Sequence, residues 1–368
     1  MYRKWPIAGL LGLLCFAGYA HATDERLPAY QPRFEREQPV VVVLAQNQMT
    51  ELTDFVVPLG VLRRASVAKV LAVSTEPGTV QLMPALSLRA EASIDEFQRQ
   101  FPQGADYLIV PAVHDSQEPR LLDFIRQQAA LGANVIGICD GVLPLAYAGL
   151  LDGRRATGHW YSREQRLSDF PTTLWQENRR YVVDGRLMTT AGVSAALPAS
   201  LALLEAIAGT PKASALAQEL GVRDWSPQHD SEVFTLGSQG YLTAAGNYLA
   251  RWKHETFAVA LHPGMDEISL ALRVDAWART FRTEVQGMAR EPVLSASGLE
   301  FIPQRTEAKE LPELPELPGG ATTAMQALDE ALTAIAGRYG ASTRSLVAAQ
   351  LEYRPQEQAR QHMEMLKP

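Results

Sequence analysis

The segment Gly137-Ile138-Cys139-Asp140-Gly141 has the residue types and spacing that best fit covalent chemistry in this chain. An apolar stretch precedes it and a helical pattern follows it. A nucleophile at a sharp strand-to-helix turn is held at the carboxyl edge of the sheet, and a helix N-terminus favours a thiolate. A lone cysteine is also commonly an inert core residue. The spacing alone leaves both alternatives open.

The second cysteine, Cys15, belongs to an N-terminal segment that resembles an export signal. Arg3 and Lys4 precede an apolar run from Ile7 to Ala20, and Ala20-His21-Ala22 has the small-x-small form of a signal-peptidase site. We interpret residues 1–22 as a secretion signal cleaved after Ala22, which predicts a periplasmic or secreted protein. The alternative is a short membrane anchor. If the signal is removed, Cys139 is the single thiol and an internal disulfide is excluded.

Charge and composition exclude several classes of function. The chain has 34 Lys+Arg and 41 Asp+Glu, so loss of Arg3 and Lys4 leaves 32 basic residues and a formal charge of −9. An acidic chain is a poor partner for nucleic acid, whose binding depends on phosphate neutralisation. No later stretch approaches transmembrane length, so we expect no stable membrane anchor. The remaining histidines show no metal-ligand spacing, and we predict no metal and no cofactor; they are His114, His159, His229, His254, His262 and His362.

The elements around Cys139 alternate between apolar strands and helices. This alternation predicts an α/β sandwich over residues 38–222, flavodoxin-like, with a mostly parallel central sheet. The predicted strands are Val40–Ala45, Lys69–Ser74, Tyr107–Ala112 and Ala133–Cys139, and Tyr181–Met188 is predicted to be a hairpin. The predicted helices are Leu52–Ala65, Pro119–Ala130, Gly141–Leu151 and Ser194–Ala208.

The region from residue 223 to residue 354 repeats parts of the first domain. When the chain is aligned with itself at a shift of 216 residues, the segment around Met49, Glu51 and Leu52 matches Met265, Glu267 and Ile268. Val293–Phe301 also resembles Val80–Leu88. At a shift of 128, Ala206–Gly209 matches Ala334–Gly337. We infer a degenerate, shortened half-copy packed on the first domain; the alternative is chance similarity between βα units. Residues 311–320 form a proline-spaced linker, and residues 355–368 a tail.

The residues around Cys139 resemble the core signature of the DJ-1/PfpI superfamily, which has the class I glutamine amidotransferase-like fold. The run from Cys139 to Trp160 reads CDGVLPLAYAGLLDGRRATGHW, and Gly185 to Ala195 reads GRLMTTAGVSA. Within that superfamily, the sequence resembles the branch of isonitrile hydratase and of the amidotransferase-like domains of AraC-type regulators. The resemblance covers about residues 38–220 and implies the family's fold and its elbow cysteine.

The resemblance implies roles for particular residues. The elbow cysteine of the family falls on Cys139, and its acid, on the first helix four residues before a proline, falls on Asp54. His159 has the spacing of a family histidine near the cysteine, where it could relay protons or merely line the pocket. The family's oxyanion amides fall on Ala112 and its successors, in a pocket that also includes these residues: Val113, His114, Asp140 and Gly141.

The sequence departs from the family at two positions of this pocket. The family usually has Pro-Gly-Gly after the third strand, whereas Ala112 and Val113 follow Pro111 here. Their side chains crowd the pocket and leave the backbone less free to adopt a positive φ. Asp140 directly follows the cysteine and would raise the pKa of the thiol unless it is hydrogen-bonded elsewhere. Both changes weaken the case for a standard family activity.

Three functions fit these residues and the family resemblance. The first is a cysteine-dependent hydratase or hydrolase that acts on a small molecule, with Cys139 as nucleophile and Asp54 as acid/base. The second is a small-molecule binding or sensing protein without turnover, and the third a thiol-based redox-responsive protein. A helix-turn-helix is not evident in the last ~150 residues, which disfavours transcriptional regulation. A homodimer is compatible with the sequence, and the half-copy is expected to be catalytically empty, because Leu270 replaces the Asp54 position and the cysteine is missing.

Overall fold

A computed structural model describes residues 25–306, 311–315 and 323–355. The predicted signal at residues 1–22, part of the predicted linker and the tail beyond Pro355 lie outside the described residues. No helix in the described ranges is long and apolar enough to cross a membrane.

The described strands and helices alternate in the first two thirds of the chain. The strands are β1 Val40–Ala45, β2 Gln48–Glu51, β3 Lys69–Ser74, β4 Thr79–Met83, β5 Ser87–Arg89, β6 Ala92–Ser93, β7 Tyr107–Val110, β8 Asn134–Gly137, β9 Arg155–Ala156, β10 Leu174–Trp175, β11 Tyr181–Asp184, β12 Leu187–Thr190, β13 Glu255–Ala260, β14 Thr283–Met288, β15 Val293–Leu294 and β16 Glu300–Phe301. The helices are α1 Leu52–Ala65, α2 Ile94–Gln100, α3 Pro119–Ala130, α4 Val142–Tyr147, α5 Arg163–Asp169, α6 Ala196–Ala208, α7 Thr210–Leu220, α8 Ser238–Leu249, α9 Glu267–Ala278, α10 Ala324–Tyr339 and α11 Ala341–Leu351.

A seven-stranded sheet forms the centre of the first domain. Its strand order is β11-β12-β8-β7-β1-β3-β6, and only the β11–β12 pair is antiparallel. Every residue of β1 and β7 is buried, because helices cover both faces of the sheet. One apolar core contains α1 and α6, and the other contains α3 and α4. The predicted flavodoxin-like α/β fold is therefore confirmed.

The elements that lead into and out of the Cys139 turn are shorter than the sequence predicts. Strand β8 ends at Gly137, because a 3-10 turn over Cys139–Gly141 begins two residues later. Helix α4 ends at Tyr147 and not at Leu151, since Gly149 adopts a φ of +77° just after it. Strand β7 likewise ends at Val110 and not at Ala112. The early ends of β7 and β8 place irregular backbone at the carboxyl edge of the sheet.

The C-terminal region repeats the first domain's elements without its middle strands. Strands β13 and β14 pair in parallel, as β1 and β3 do, and α9 connects them as α1 connects the first pair. The hairpin of β15 and β16 repeats that of β4 and β5. The described part of the linker lies against β13, where Glu313 forms a bridge with Ala258. The β13 strand therefore pairs within a small sheet.

The two terminal helix pairs correspond at one shift where the helices begin and at another where the glycines join them. Ala196 and Ala324, which begin α6 and α10, are 128 positions apart, as the sequence suggests. A glycine joins each pair: Gly209 has φ 82° and ψ 164°, and Gly340 has φ 90° and ψ 163°. These two glycines are 131 positions apart, because α10 is three residues longer than α6, and Gly337 therefore lies inside α10.

Equivalent elements of the two halves pack against each other. Strand β5 pairs with β16, and Leu88 lies opposite Phe301, its own counterpart at a shift of 213. Helix α1 packs against its counterpart α9, and the contact is so close that a Cβ on Gly60 would lie 2.7 Å from Glu267 Oε1. The C-terminal region therefore packs on the first domain through elements that correspond to each other.

Candidate active site

Cys139 lies at a tight turn between β8 and α4. Its φ of +56° is a rare conformation for a residue with a side chain. The turn depends on Gly141, since a Cβ there would lie 2.0 Å from the carbonyl oxygen of Val110. The amide of Cys139 donates to Thr190 Oγ1 at 3.0 Å, which ties the turn to β12. The structure thus holds the thiol in a strained, well-fixed elbow, as the sequence predicts.

Asp54 lies in the first turn of α1 and is completely buried. Its amide donates to Glu51 Oε2 at 2.6 Å, so Glu51 caps the helix. The Oδ2 atom of Asp54 accepts from Ala112 N at 3.2 Å, whereas Oδ1 is buried without a hydrogen-bond partner. A buried carboxylate oxygen without a partner is costly, which makes a purely structural role for this side chain hard to explain.

Burial and nearby carboxylates raise the pKa of Cys139 well above its usual value. Burial has the largest effect, followed by the charges of Asp54, Asp140 and Glu51. The thiol is therefore protonated at neutral pH, which corrects the expectation that the helix N-terminus favours a thiolate. No hydrogen bond joins the Cys139 thiol to Asp54, although both are described residues. Burial also raises the pKa of Asp54 well above its usual value, against the opposing effects of the Ala112 amide and Arg279.

Asp140 points into a polar cluster behind the elbow. Its Oδ1 accepts from Ser162 Oγ at 2.5 Å, and Arg166 Nε donates to the same hydroxyl at 3.1 Å. Arg166 is buried and also donates to the carbonyl of His159 at 3.0 Å. Asp140 is thus hydrogen-bonded elsewhere, but its charge still contributes to the raised pKa of Cys139.

His159 lies beside the thiol with both ring nitrogens already engaged. Its Nε2 lies 3.0 Å from the carbonyl oxygen of Gln350, and its Nδ1 accepts from Tyr161 N at 3.3 Å. One donor atom each of Cys139, Asp140 and His159 lies within 4.8 Å of the others, a grouping that the histidine spacing did not reveal. The hydrogen bonds that His159 and Asp140 make to other protein groups account for the positions of these side chains. A proton relay through His159 would have to break one of them.

The predicted oxyanion segment divides between buried and exposed residues. Ala112 is buried; its amide donates to Asp54 and its carbonyl accepts from Glu51 N at 2.8 Å. Val113 is buried and pairs with Thr50, whereas His114 is exposed and its amide donates to Met49 O at 3.0 Å. The structure therefore brings Ala112 and Val113 to the inner side of the segment and leaves the His114 side chain in solvent.

The half-copy contributes a largely buried guanidinium, 17% exposed, that the sequence analysis missed. Arg279, at the C-terminus of α9, contacts Glu51 Oε1 and Asp275 Oδ1, each at 2.7 Å. Thr53 donates to the other oxygen of Asp275 at 3.1 Å. The positive charge of Arg279 lowers the pKa of both Asp54 and Cys139, in opposition to burial. The half-copy carries no cysteine, yet it shapes the electrostatics of the site.

Glu352, just after α11, is the second contribution of the half-copy. It is buried, with Oε2 2.9 Å from His229 Nε2, and Oε1 accepts from Trp160 N at 3.2 Å. Burial raises the pKa of Glu352, but the hydrogen bond with His229 and the charges of both histidines outweigh it and lower the pKa overall. Contacts this distant in sequence have no signal in residue spacing, which is why His159 and His229 did not suggest a cluster.

Comparison with known proteins agrees with this geometry. Residues 39–206 match the DJ-1/PfpI family. The chain contains a DJ-1/PfpI family domain. This domain carries the predicted elbow cysteine and the acid of the first helix.

The curated relatives match this domain and not the whole chain. Isonitrile hydratase of Pseudomonas putida is 36% identical over 121 residues, which are 32% of this chain and 49% of that protein. The HTH-type transcriptional regulator ArgR of Pseudomonas aeruginosa is 34% identical over 116 residues, which are 32% of this chain and 35% of that protein. The chain thus spans half or less of the length of these relatives. The crystal structure of Drosophila melanogaster DJ-1beta matches with 22% identity and a TM-score of 0.46, over 51% of this chain and all of that one.

Proposed function

We propose that the DJ-1/PfpI domain is a cysteine-dependent enzyme that adds water to the polarised carbon of a small neutral molecule of the isonitrile type. The observation that carries this proposal is the buried Oδ1 of Asp54, which has no hydrogen-bond partner next to a buried thiol. Such an oxygen is free to exchange a proton with a bound molecule. The similarity to isonitrile hydratase supports the choice of substrate class.

The first half of the reaction uses two protonated groups. Asp54 gives its proton to the terminal carbon of R–N≡C, and the sulfur of Cys139 then bonds to that carbon. The thiol proton passes to the carboxylate of Asp54, so the acid is restored and a thioimidate, R–N=CH–S–Cys, remains. A protonated Asp54 and a protonated Cys139 are the states that their raised pKa values favour.

Water completes the reaction. It adds to the thioimidate carbon, and Asp54 moves one proton to nitrogen while the sulfur leaves with the other. The products are the N-substituted formamide R–NH–CHO and the free thiol, so the net change is the addition of one water molecule. The acidic surroundings of the site, Glu51, Asp140 and Asp275, disfavour an anionic substrate.

Turnover and thiol titration test this proposal together. Cys139→Ala should abolish formamide production from a panel of small isonitriles while the protein stays folded. Asp54→Asn should lower the rate by at least ~100-fold. It should also move the thiol titration to lower pH, because the thiolate then forms beside a neutral amide and not beside a carboxyl group that ionises as the pH rises. Asp169→Asn, an exposed carboxylate, is the matched control and should change neither. A parent protein that hydrates no isonitrile, or an Asp54→Asn variant with the parent's titration curve, would contradict the proposal.

Binding without turnover is the second candidate, and the 5% exposure of Cys139 favours it. A closed site with a neutral thiol retains a ligand more readily than it exchanges substrate and product. The same isonitrile panel distinguishes the two candidates. Saturable calorimetric binding that Cys139→Ala preserves, without formamide release, would support a binding domain. The raised pKa of the thiol argues against the third candidate, since oxidation requires a thiolate.

We also propose that the protein is exported. The support is the basic pair Arg3-Lys4, the apolar run that follows and the site at Ala22. N-terminal sequencing of protein from a periplasmic fraction should begin at Thr23. Intact Met1 on protein recovered from the cytoplasm would contradict export.

A further inference from the structure

Helix α8 and the turn after it expose a continuous apolar surface, which we call the α8 face. Its members are Tyr241, Leu242, Tyr248, Leu249 and Trp252. Leu249 is 69% exposed and Trp252 is 82% exposed. Residues at positions i, i+1, i+7 and i+8 share one side of a helix. The large side chains of α8 therefore lie together on its solvent side.

The opposite side of α8 is the polar one, and it faces the protein. Asn247 donates to the carbonyl oxygen of Thr280 at 3.0 Å and to Thr343 Oγ1 at 3.1 Å. No residue of α8 is buried. A surface helix of a globular protein normally turns its apolar side inward. The inverted orientation of α8 indicates that its apolar side is kept for something outside this chain.

The charges around the α8 face favour an anionic partner. The 22 residues from Val233 to His254 contain no Asp or Glu, in a chain with 41 of them. Arg251 and Lys253 are exposed on either side of Trp252, and neither has an ion-pair partner among the described residues. Tyr and Trp are also the aromatic residues that prefer the boundary between lipid and water.

We propose that the α8 face binds the surface of an anionic lipid membrane, with α8 parallel to the bilayer plane. The combination of Leu, Tyr and Trp on one side with flanking Arg and Lys is that of an interfacial helix. A second copy of this chain fits less well, because two-fold pairing of this surface would bring together two basic, acid-free regions. The contact is peripheral, in keeping with the lack of a membrane-spanning helix in the described residues.

Vesicle co-sedimentation of the chain beginning at Thr23 tests this proposal, since the apolar run Ile7–Ala20 is then absent. The parent should bind vesicles of phosphatidylglycerol and phosphatidylethanolamine, with a blue shift of tryptophan fluorescence that Trp252→Phe reduces. Leu249→Asp should weaken binding at least ~10-fold. The double variant Arg251→Gln with Lys253→Gln should weaken it about 25-fold on these vesicles, at about 5-fold for each basic residue.

The matched control is Leu294→Asp, which alters another exposed leucine, 57% exposed, on β15. It should leave vesicle binding unchanged. Equal binding to the anionic vesicles by the parent and Leu249→Asp would overturn the proposal. So would a parent that ignores vesicles but forms a dimer in light scattering that Leu249→Asp dissociates, because the α8 face would then be an interface between copies.

Discussion

Helices α1 and α9 occupy equivalent positions in the two halves of this protein but carry different residues. At a shift of 216, Asp54 of α1 corresponds to Leu270 of α9, and Arg63 corresponds to Arg279. The α1 helix presents a carboxylate near the thiol, whereas α9 delivers a buried guanidinium to the capping residue of α1. The half-copy thus has leucine at the position of Asp54, and its Arg279 forms an ion pair that crosses to the other half.

The half-copy keeps too few strands to form a core of its own. The two-stranded sheet of β13 and β14 is too small for independent stability, because two strands bury little apolar surface. Its buried side chains instead belong to the core that also contains α1 and α6. The half-copy therefore depends on packing against the first domain. Arg279 and Glu352 are the residues through which it contacts the site.

Removal of the half-copy should have the largest effect. Residues 23–222 alone lose the cover of α1 and of the β5 edge, so we expect aggregation, or strong binding of a hydrophobic dye with a broad thermal transition. The full chain is the reference in both measurements. Cooperative, reversible folding of residues 224–368 alone would contradict the dependence of the half-copy on the first domain.

Replacement of Arg279 by Met should have the next largest effect. The change leaves Glu51 and Asp275 without their cation, and breaking a buried ion pair in this way costs about 3–5 kcal/mol of unfolding free energy. Because Arg279 lowers the pKa of Cys139, its loss should move the thiol titration to higher pH. Denaturant unfolding and alkylation rates against pH measure the two effects.

The counterpart residue Arg63 is the matched control. It pairs with Glu91, which is 40% exposed, and donates to the carbonyl oxygens of Val70 and Ser297, so Arg63→Met should cost about 1–2 kcal/mol and leave the thiol titration unchanged. Equal losses of stability in the two variants would show that the counterparts are equivalent after all. An unchanged thiol titration in Arg279→Met would show that Arg279 does not influence the pKa of Cys139.

The sequence supports the prediction of the architecture because its signals are local. Continuous apolar runs such as Val40–Ala45 identify buried parallel strands, and the family pattern places Cys139 at the elbow and Asp54 on the first helix. The protonation of Cys139 could not be predicted this way. It depends on burial and on three carboxylates, of which Glu51 and Asp54 lie on another element.

Residues that reach the site from far along the chain also escape local patterns. Arg279 contacts Glu51 across 228 positions, and Glu352 contacts Trp160 across 192. In the sequence, both are ordinary charged residues near helix ends. Only the packing of α9 and α11 on the first domain turns them into buried partners of the site.

Glu352→Gln tests the contact between α11 and the site, with a smaller effect that depends on pH. The variant keeps the shape but loses the charged hydrogen bonds to His229 and Trp160, so we expect a loss of about 1.5–3 kcal/mol at neutral pH. The folded protein lowers the pKa of Glu352 below its ordinary value of 4.5. This stabilisation is therefore present above pH 4.5 and is lost as the pH falls through the lower folded value.

Stability curves of the parent and of Glu352→Gln should consequently converge in acid. The exposed Glu164→Gln, on α5, is a control that should follow the parent at every pH. A constant difference between the parent and Glu352→Gln down to pH 3 would show that the carboxylate charge does not contribute.

The smallest effects distinguish the two alignments of the terminal helix pairs. Gly209 and Gly340 share backbone angles that only glycine adopts without strain. Gly209→Ala and Gly340→Ala should each cost about 1–3 kcal/mol of unfolding free energy. Gly337 lies inside α10 with open space around its Cα. Gly337→Ala should therefore stabilise the protein by up to ~1 kcal/mol. If Gly337→Ala instead destabilised the protein as much as Gly209→Ala, Gly337 and not Gly340 would be the counterpart of Gly209, as a shift of 128 requires.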